Sequence, residues 1–212
     1  MADQSTMHQS VPVYGFGAPL EEATVAVIVI HGRAGPAPDI LALAQEIDVP
    51  GVANVGPAIA PGVLNDELWL SSALAAVGEV VDMVSSAGIP RERTLLLGFS
   101  QGACLLLEYA ARNPRRYGGV IGFSGTLVEN GDKPRYNRDS GSFDGTPVFL
   151  GCSDDDPHVS ESRVQRTAGL LTGLGAEVTM RIYPGMGHTI NPHEYEVVRN
   201  MVTTVVAGHR GT

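Results

Sequence analysis

The sequence is poor in positive charge and in charged residues generally. Among its 212 residues, Lys and Arg number 14 against 23 Asp and Glu, which gives a net charge of −9 at pH 7. A protein that binds nucleic acid needs a basic face to neutralise phosphates, and no basic cluster occurs here. The composition therefore argues against nucleic acid and against an anionic membrane surface as partners.

Cysteine and long apolar runs are also scarce. Only Cys104 and Cys152 are present, each among apolar neighbours, so we expect two buried thiols in a reducing compartment. The longest apolar run, VAVIVI at 25–30, is too short to span a bilayer. The polar segment 1–10 has no apolar signal region and is expected to be a disordered tail. These features predict a cytoplasmic protein that does not insert into membranes.

Apolar strand patterns alternate with helical patterns over the rest of the chain. Continuous β-branched and aliphatic runs are typical of strands buried on both faces of a sheet. Strands are expected within 24–32, 51–60, 93–99, 117–125, 146–152 and 176–184, and helices within 38–48, 65–87, 101–113, 159–175 and 191–207. This order predicts an α/β fold with a mostly parallel sheet, helices on both faces and a single domain over 11–212.

Residue signals predict the ends of two helices. Asn65 is expected to cap the second helix, and Gly88 and Pro90 to end it. The last helix should begin with a capping box, in which Asn191 precedes Pro192 and Glu194, and Gly208 should follow it.

One polar segment interrupts the alternation. Residues 126–145 are rich in turn formers and stand where a crossover helix is expected. A loop of this length is commonly functional. Two interpretations stay open: a surface excursion, or a flap near a site.

The motif GFSQG at 98–102 joins a predicted strand to a predicted helix. A sharp strand–turn–helix elbow requires small residues on both sides of its central residue, which explains Gly98 and Gly102. The turn would project the Ser100 hydroxyl from the carboxyl edge of the sheet, close to a helix N-terminus. In this context the pattern favours a serine nucleophile over a glycine-rich packing turn.

A serine hydroxyl needs a base to take its proton, and His188 is the best candidate. It follows a strand in the glycine-rich loop YPGMGH at 183–188, which lets an imidazole reach across. Structural or peripheral roles are expected for four other histidines: hydrogen bonding for His31, a helix surface for His193, and tails for His8 and His209.

Three consecutive aspartates, at 154–156, supply the acid that would orient this base. We choose Asp156, since Pro157 restrains its backbone, and expect Asp154 and Asp155 to be solvated or to hold the turn. The same aspartates with His158 and His188 could ligate a divalent ion, but no HxH or HExxH spacing occurs, so no metal is expected. Two backbone N–H groups, those of Arg33 and Gln101, would stabilise an oxyanion. The Arg33 side chain could point to solvent or meet an anionic group.

Four motifs together resemble the phospholipase/carboxylesterase family of α/β-hydrolases, which includes acyl-protein thioesterases and small bacterial carboxylesterases. They are HGRAG at 31–35, GFSQGACLLLEYAARNP at 98–114, GCSDDDPHV at 151–159 and YPGMGH at 183–188. The resemblance implies a triad of Ser100, Asp156 and His188 with oxyanion amides from Arg33 and Gln101. It is strongest to the bacterial branch whose oxyanion loop also reads HGR.

One segment departs from the family pattern. Members usually carry a longer, aromatic-rich stretch before the second helix, whereas PAIAPGVLNDELWL at 57–70 is short and has only Trp69. A wider acyl site is therefore expected.

The sequence thus predicts a cofactor-free serine carboxylesterase acting on small-molecule esters. Two alternatives stay open: a thioesterase or lysophospholipase using the same residues, and a hydrolase-fold binding protein without turnover. A homodimer is also left open, because many members of this family pair through surface helices.

Overall fold

The computed structural model describes residues 8, 11–33, 43–128 and 141–209, and the strands among them form one sheet. The strands are β1 Val13–Gly17, β2 Val25–Ile30, β3 Val52–Pro57, β4 Thr94–Phe99, β5 Gly119–Phe123, β6 Pro147–Ser153 and β7 Glu177–Tyr183. Their order across the sheet is β1-β3-β2-β4-β5-β6-β7, and all neighbouring pairs are parallel except β1 with β3. The predicted α/β architecture is confirmed.

Strand β1 has no counterpart among the expected strands. Its sequence, VYGFG, is short, contains two glycines and is mostly exposed, so it lacks the apolar pattern of the central strands. It pairs antiparallel with β3 at the edge of the sheet. An edge strand loses less by exposing its side chains, which is why its sequence signal is weak.

Helices cover both faces of the sheet. They are α1 Glu67–Ser86, α2 Gln101–Arg112, α3 Glu161–Gly173 and α4 Pro192–His209. One core layer joins α1, α2 and α3 to the sheet, and the other joins α4 and the helical residues 43–46 to its opposite face. Within β2, Ala26, Ile28 and Ile30 face the first layer while the intervening valines face the second. This two-sided burial explains the uninterrupted apolar run of β2.

Helix α1 is capped by Asp66, not by Asn65 as expected. The Asp66 carboxylate accepts hydrogen bonds from the backbone N–H groups of Leu68 and Trp69. Of the helices in the described part of the chain, α1 alone is long and apolar enough to cross a bilayer. However, 56% of its apolar window is buried inside the protein, as in the core helix of a folded domain.

Helix α4 begins with the expected capping box. The Asn191 side chain accepts from the backbone N–H of Glu194 at 3.0 Å, and Glu194 accepts from the backbone N–H of Asn191 at 2.9 Å. The expected end at Gly208 is wrong, since the helix extends to His209. A glycine with helical neighbours continues a helix at modest cost.

Several expectations fall wholly or partly outside the described residues. These include most of the tail 1–10, part of the helix expected at 38–48, and residues 129–140 of the interrupting segment. At His8, however, the expected tail is wrong, because this side chain is 2% exposed and its Nδ1 lies 3.1 Å from the Ser72 hydroxyl. Its ring also packs edge-on against Trp69.

The carboxyl of Glu194 is fully buried beside β6. A Cβ atom on Gly151 would lie 2.0 Å from its Oε1 atom, so only glycine leaves room for it there. Burial raises the pKa of Glu194 to about 7, although its hydrogen bond from Asn191 opposes the shift. The protonated form is therefore favoured by folding.

This burial predicts a specific pH dependence of stability. Because the pKa of Glu194 is above 4.5 in the folded state, its contribution is full below about pH 4.5 and is lost as the pH rises through about 7. The loss amounts to at most about 3 kcal/mol of unfolding free energy. Denaturant titrations at pH 5 and pH 8 should show this decline in the natural protein and a smaller decline in Glu194→Gln. Equal declines in both proteins would contradict the assignment.

Candidate active site

The four stretches singled out in the sequence meet at the carboxyl edge of the sheet. Residues 31–33 follow β2, Ser100 follows β4, Asp156 follows β6, and His188 follows β7. Ligands of open parallel sheets bind at this edge. The structure therefore brings together all the side chains predicted for catalysis.

Ser100 stands at a strained turn between β4 and α2. Its backbone has φ 52° and ψ −119°, a conformation that costs free energy for a residue with a side chain. The backbone N–H of Ser100 donates to the carbonyl of Phe123 at 2.8 Å, which anchors the turn to β5. This hydrogen bond to the sheet thus stabilises the strained conformation of Ser100.

Glycines make this turn possible, as the sequence predicted. A Cβ atom on Gly98 would lie 2.4 Å from the backbone nitrogen of Ala103, and one on Gly102 would lie 2.2 Å from the carbonyl oxygen of Ile30. The first turn of α2 therefore packs directly on the end of β2. Its leading N–H groups, beginning with Gln101, have no partner within the helix and favour negative charge nearby.

His188 bridges the serine and the acid. Its Nε2 atom lies 2.9 Å from the Ser100 hydroxyl oxygen, and its Nδ1 atom lies 2.7 Å from Asp156 Oδ2. Since the Asp156 carboxylate accepts the proton on Nδ1, the lone pair on Nε2 faces the serine. This arrangement can remove the serine proton.

The Asp156 carboxylate is fixed from both sides. Its Oδ1 atom accepts the backbone N–H groups of His158 at 2.8 Å and Val159 at 3.0 Å. Burial opposes ionisation, but the hydrogen bonds from His188 and from these backbone groups outweigh it and hold the pKa of Asp156 below its usual value. The acid is therefore ionised at neutral pH.

Asp154, Asp155 and Ser153 hold the turn that carries His188. The backbone N–H of Gly185 donates to Asp154 at 2.8 Å, and that of Gly187 donates to Asp155 at 2.8 Å. The Ser153 hydroxyl oxygen accepts the N–H groups of Met186 and Gly187 at 2.9 and 3.1 Å. Of the two roles expected for the aspartates, holding the turn is the one observed, while the part of Ser153 had no sequence signal.

The loop after β2 lies beside the serine. A Cβ atom on Gly32 would lie 3.4 Å from the Ser100 Cβ, so the backbone of this loop is in contact with the elbow. His31 is buried and its Nδ1 donates to the Gly32 carbonyl at 2.6 Å, which agrees with the structural role expected for it. The Arg33 side chain donates to the carbonyl of Gly62 at 2.8 Å, a contact that the sequence did not reveal.

A cleft of about 870 Å³ opens above Ser100 and His188. Apolar side chains line much of it, among them Leu43, Leu64, Phe99, Val159 and Ile190. The ring of His158 lies at its edge, perpendicular to that of His188 with centroids 4.8 Å apart. Within the described ranges, no three His, Cys, Asp or Glu side chains are arranged to hold a metal ion.

Both cysteines are buried free thiols, as expected. Burial raises the pKa of Cys152 to about 11 and raises that of Cys104 as well. The thiols are therefore protonated at neutral pH and are poor nucleophiles. Cys104 lines the cleft and accepts the backbone N–H of Thr126, while the Cys152 thiol lies 3.8 Å from the Asp156 carboxylate, to which it donates.

The close approach at Gly102 predicts opposite effects for two helical Gly→Ala changes. Gly102→Ala should lower the unfolding free energy by about 1–3 kcal/mol, because its methyl group meets the backbone of β2. Gly169→Ala, at an exposed position of α3 with nothing within 4 Å, should raise it by about 0.5–1 kcal/mol. Denaturant unfolding measures both, and a Gly102→Ala protein as stable as the natural one would contradict this packing.

The contacts of Asp155 predict a local loosening of the His188 turn when the carboxylate is removed. In Asp155→Ala the amide hydrogen of Gly187 should exchange with solvent faster, since it loses the nearer of its two acceptors and keeps only the Ser153 hydroxyl. Hydrogen exchange of a peptide covering 184–188 measures this. Asp82→Ala, which removes an exposed carboxylate paired with Arg91, is the matched control and should leave that peptide unchanged. Equal exchange in both variants would refute the role of Asp155.

Comparisons with known proteins identify the relatives of this chain. The sequence profile described as phospholipase/carboxylesterase matches residues 58–206, which include Ser100, Asp156 and His188. Acyl-protein thioesterase 1 of Gibberella zeae is 35% identical over 112 residues, covering 53% of this chain and 48% of the relative. The protein of that name from Neurospora crassa is 28% identical over 65% of this chain and 56% of the relative. The matches thus span about half the length of these curated relatives.

Solved structures extend the likeness over nearly the whole chain. The phospholipase/carboxylesterase from Dyadobacter fermentans is 39% identical, has a TM-score of 0.82, and is matched over 92% of this chain and 97% of that chain. The Bacillus cereus carboxylesterase, 18% identical with a TM-score of 0.75 over 94% of this chain and 97% of that chain, shares the fold. With its α/β-hydrolase sheet and its profile match over more than half of its length, the chain belongs to the phospholipase/carboxylesterase family.

Proposed function

We propose that this protein is a serine carboxylesterase that hydrolyses small-molecule carboxylic esters through an acyl-enzyme. The observation that carries the proposal is the position of His188, which is within hydrogen-bond distance of both the Ser100 hydroxyl and the Asp156 carboxylate. A nucleophile, a base and an acid in this contact form the arrangement that activates a serine. The family membership of the chain supports the same reaction class.

In the proposed acylation step, Ser100 Oγ forms a bond to the ester carbonyl carbon while its proton passes to His188 Nε2. Asp156 stabilises the imidazolium that results. The carbonyl oxygen becomes an oxyanion that accepts the backbone N–H groups of Arg33 and Gln101, and one such donor is typically worth about 3 kcal/mol. The bond to the alcohol oxygen then breaks, and His188 gives its proton to the leaving alcohol.

Deacylation repeats these roles with water. His188 takes a proton from a water molecule whose oxygen attacks the acyl carbon of the Ser100 ester. The second tetrahedral intermediate collapses, the proton returns to Ser100 Oγ, and the carboxylic acid leaves. The reaction needs no cofactor or metal ion, because each proton and each charge has a protein group to receive it.

A thioesterase or lysophospholipase is the second candidate. The fungal relatives are named acyl-protein thioesterases, and the same three side chains would serve a thioester. The short segment 57–70 adds only Leu64 to the described cleft lining, while Trp69 is buried at 3% exposure away from it. Because this segment places only one side chain in the cleft, we expect the site to accommodate varied acyl groups, which favours a general esterase.

We also propose a cytoplasmic location. Two buried free thiols are consistent with a reducing compartment and hence with a cytoplasmic protein. A homodimer stays a hypothesis about the surface helices.

Hydrolysis of p-nitrophenyl esters from acetate to palmitate tests the proposal. Ser100→Ala should abolish turnover without lowering the melting temperature, because a turn serine contributes little packing. Ser71→Ala, which removes an exposed hydroxyl on α1, is the matched control and should keep full activity. Full activity in Ser100→Ala would refute the mechanism. The chain-length profile reports the size of the acyl site.

Two aspartate variants test the choice of acid. Asp156→Asn should lower kcat by about 10³- to 10⁴-fold, because the neutral amide does not stabilise the imidazolium. Asp154→Asn should have a much smaller effect, since Asp154 contacts the turn and not the ring. The reverse ranking would assign the acid to Asp154. Absence of turnover on every ester, together with no labelling of Ser100 by a fluorophosphonate, would favour a binding protein.

A further inference from the structure

The side chains of Arg33 and Gln101, the two proposed oxyanion residues, both donate hydrogen bonds to the same carbonyl oxygen. The carbonyl oxygen of Gly62 accepts the side-chain amide of Gln101 at 2.6 Å and the guanidinium of Arg33 at 2.8 Å. Gln101 begins α2, whereas Arg33 lies beyond the end of β2, so these residues belong to separate parts of the chain. Their side chains are thus tied together through a third segment, between β3 and α1.

Gly62 is itself held in a fixed place. A Cβ atom at this position would lie 2.0 Å from the Cε2 and Nε1 atoms of the Trp69 indole, so the glycine backbone packs directly on the ring. Trp69 is 3% exposed and belongs to the first turn of α1, where Asp66 caps the helix. The backbone N–H of Asp66 donates to the carbonyl of Val63 at 2.9 Å, which closes the turn after Gly62. The shared acceptor is therefore anchored to the core.

Arg33 is the residue that needs such an anchor. Its backbone lies outside the hydrogen-bonded ladder of β2, which ends at Ile30, whereas Gln101 is held by its helix. An oxyanion donor must lie 2.7–3.1 Å from the developing charge, as a general requirement of such sites. A displacement of about 1 Å can cost on the order of 100-fold in rate.

We propose that the Gly62 carbonyl oxygen is a clamp that positions the backbone N–H groups of Arg33 and Gln101 on one point beside Ser100. In this role the two side chains are positioning residues, and their contribution is made through the peptide groups they hold. The inference rests on the proposed function, since it requires an oxyanion at Ser100. It also gives the segment 57–70 a structural role other than lining an acyl site.

The test separates orientation of the oxyanion donors from substrate binding. Arg33→Met and Gln101→Met remove the side-chain donors but keep the backbone N–H groups and most of the side-chain bulk. Arg33→Lys restores an N–H donor of similar reach. Arg116→Met is the matched control, because Arg116 also donates to a backbone carbonyl, that of Asp144, in another part of the chain.

Each protein is assayed with a neutral p-nitrophenyl ester and with a boronic acid inhibitor. Boron forms a bond to the serine Oγ as the hydroxyl proton passes to His188, which yields a tetrahedral anion that mimics the reaction intermediate. Arg33→Met should lose roughly tenfold in kcat and in boronate affinity, with KM unchanged within about twofold. Gln101→Met should lose less, because α2 also holds the backbone of Gln101. Arg33→Lys should recover most of the loss, and the pH profile of kcat should not move, because His188 is untouched.

Three results would overturn the clamp. Unchanged kcat and boronate affinity in both methionine variants would do so, as would a rise in KM alone, which would make Arg33 a substrate-binding group. If Ser100→Ala is inactive in the same assays, either result rejects the clamp and leaves the esterase intact. A Ser100→Ala protein with full activity would reject both together.

Discussion

The architecture of this site depends on the contact between the first turn of α2 and the end of β2. At Gly102 no Cβ atom fits, since it would lie 2.2 Å from the carbonyl oxygen of Ile30. This contact brings the free N–H groups of a helix next to the loop at 31–33 and forces the chain through the strained backbone of Ser100. The hydrogen bond from the backbone of Ser100 to β5 stabilises this strained conformation, so the sheet keeps the hydroxyl in the cleft.

The side of the site that holds Asp156 and His188 is built in a different way. Four consecutive residues, 153–156, extend from the end of β6 and contact the loop that follows β7. Three of them bind backbone N–H groups of that loop, and Asp156 binds the His188 ring itself. One segment thus fixes both the path of the loop and the orientation of the imidazole. Hydrogen bonds of polar side chains fix this part of the site, whereas close backbone packing fixes the turn at Ser100.

The sequence predicts these parts to different degrees, for physical reasons. Strand and helix periodicity, the glycines around Ser100 and the chain order of Ser100, Asp156 and His188 are local signals, so the fold and the meeting of these side chains at one edge could be anticipated. Strand β1 could not, because an exposed edge strand lacks an apolar pattern. The adjacent residues Asn65 and Asp66 are both good caps, and only the three-dimensional turn decides between them. The contacts of Ser153, Arg33 and Gly62 join distant segments, and nothing in a single sequence pairs them.

The four consecutive residues 153–156, all of which contact the facing loop, constrain how the chain can vary in length. Each residue there contacts the facing loop, and Ser153 and Asp155 share the N–H of Gly187, so an insertion or deletion of one residue would disrupt these contacts together. Point substitutions remove single contacts, whereas a change of length would remove the whole set. The spacing between the end of β6 and Pro157 is therefore under a constraint of register, like that of a strand within a sheet, although the segment belongs to a loop.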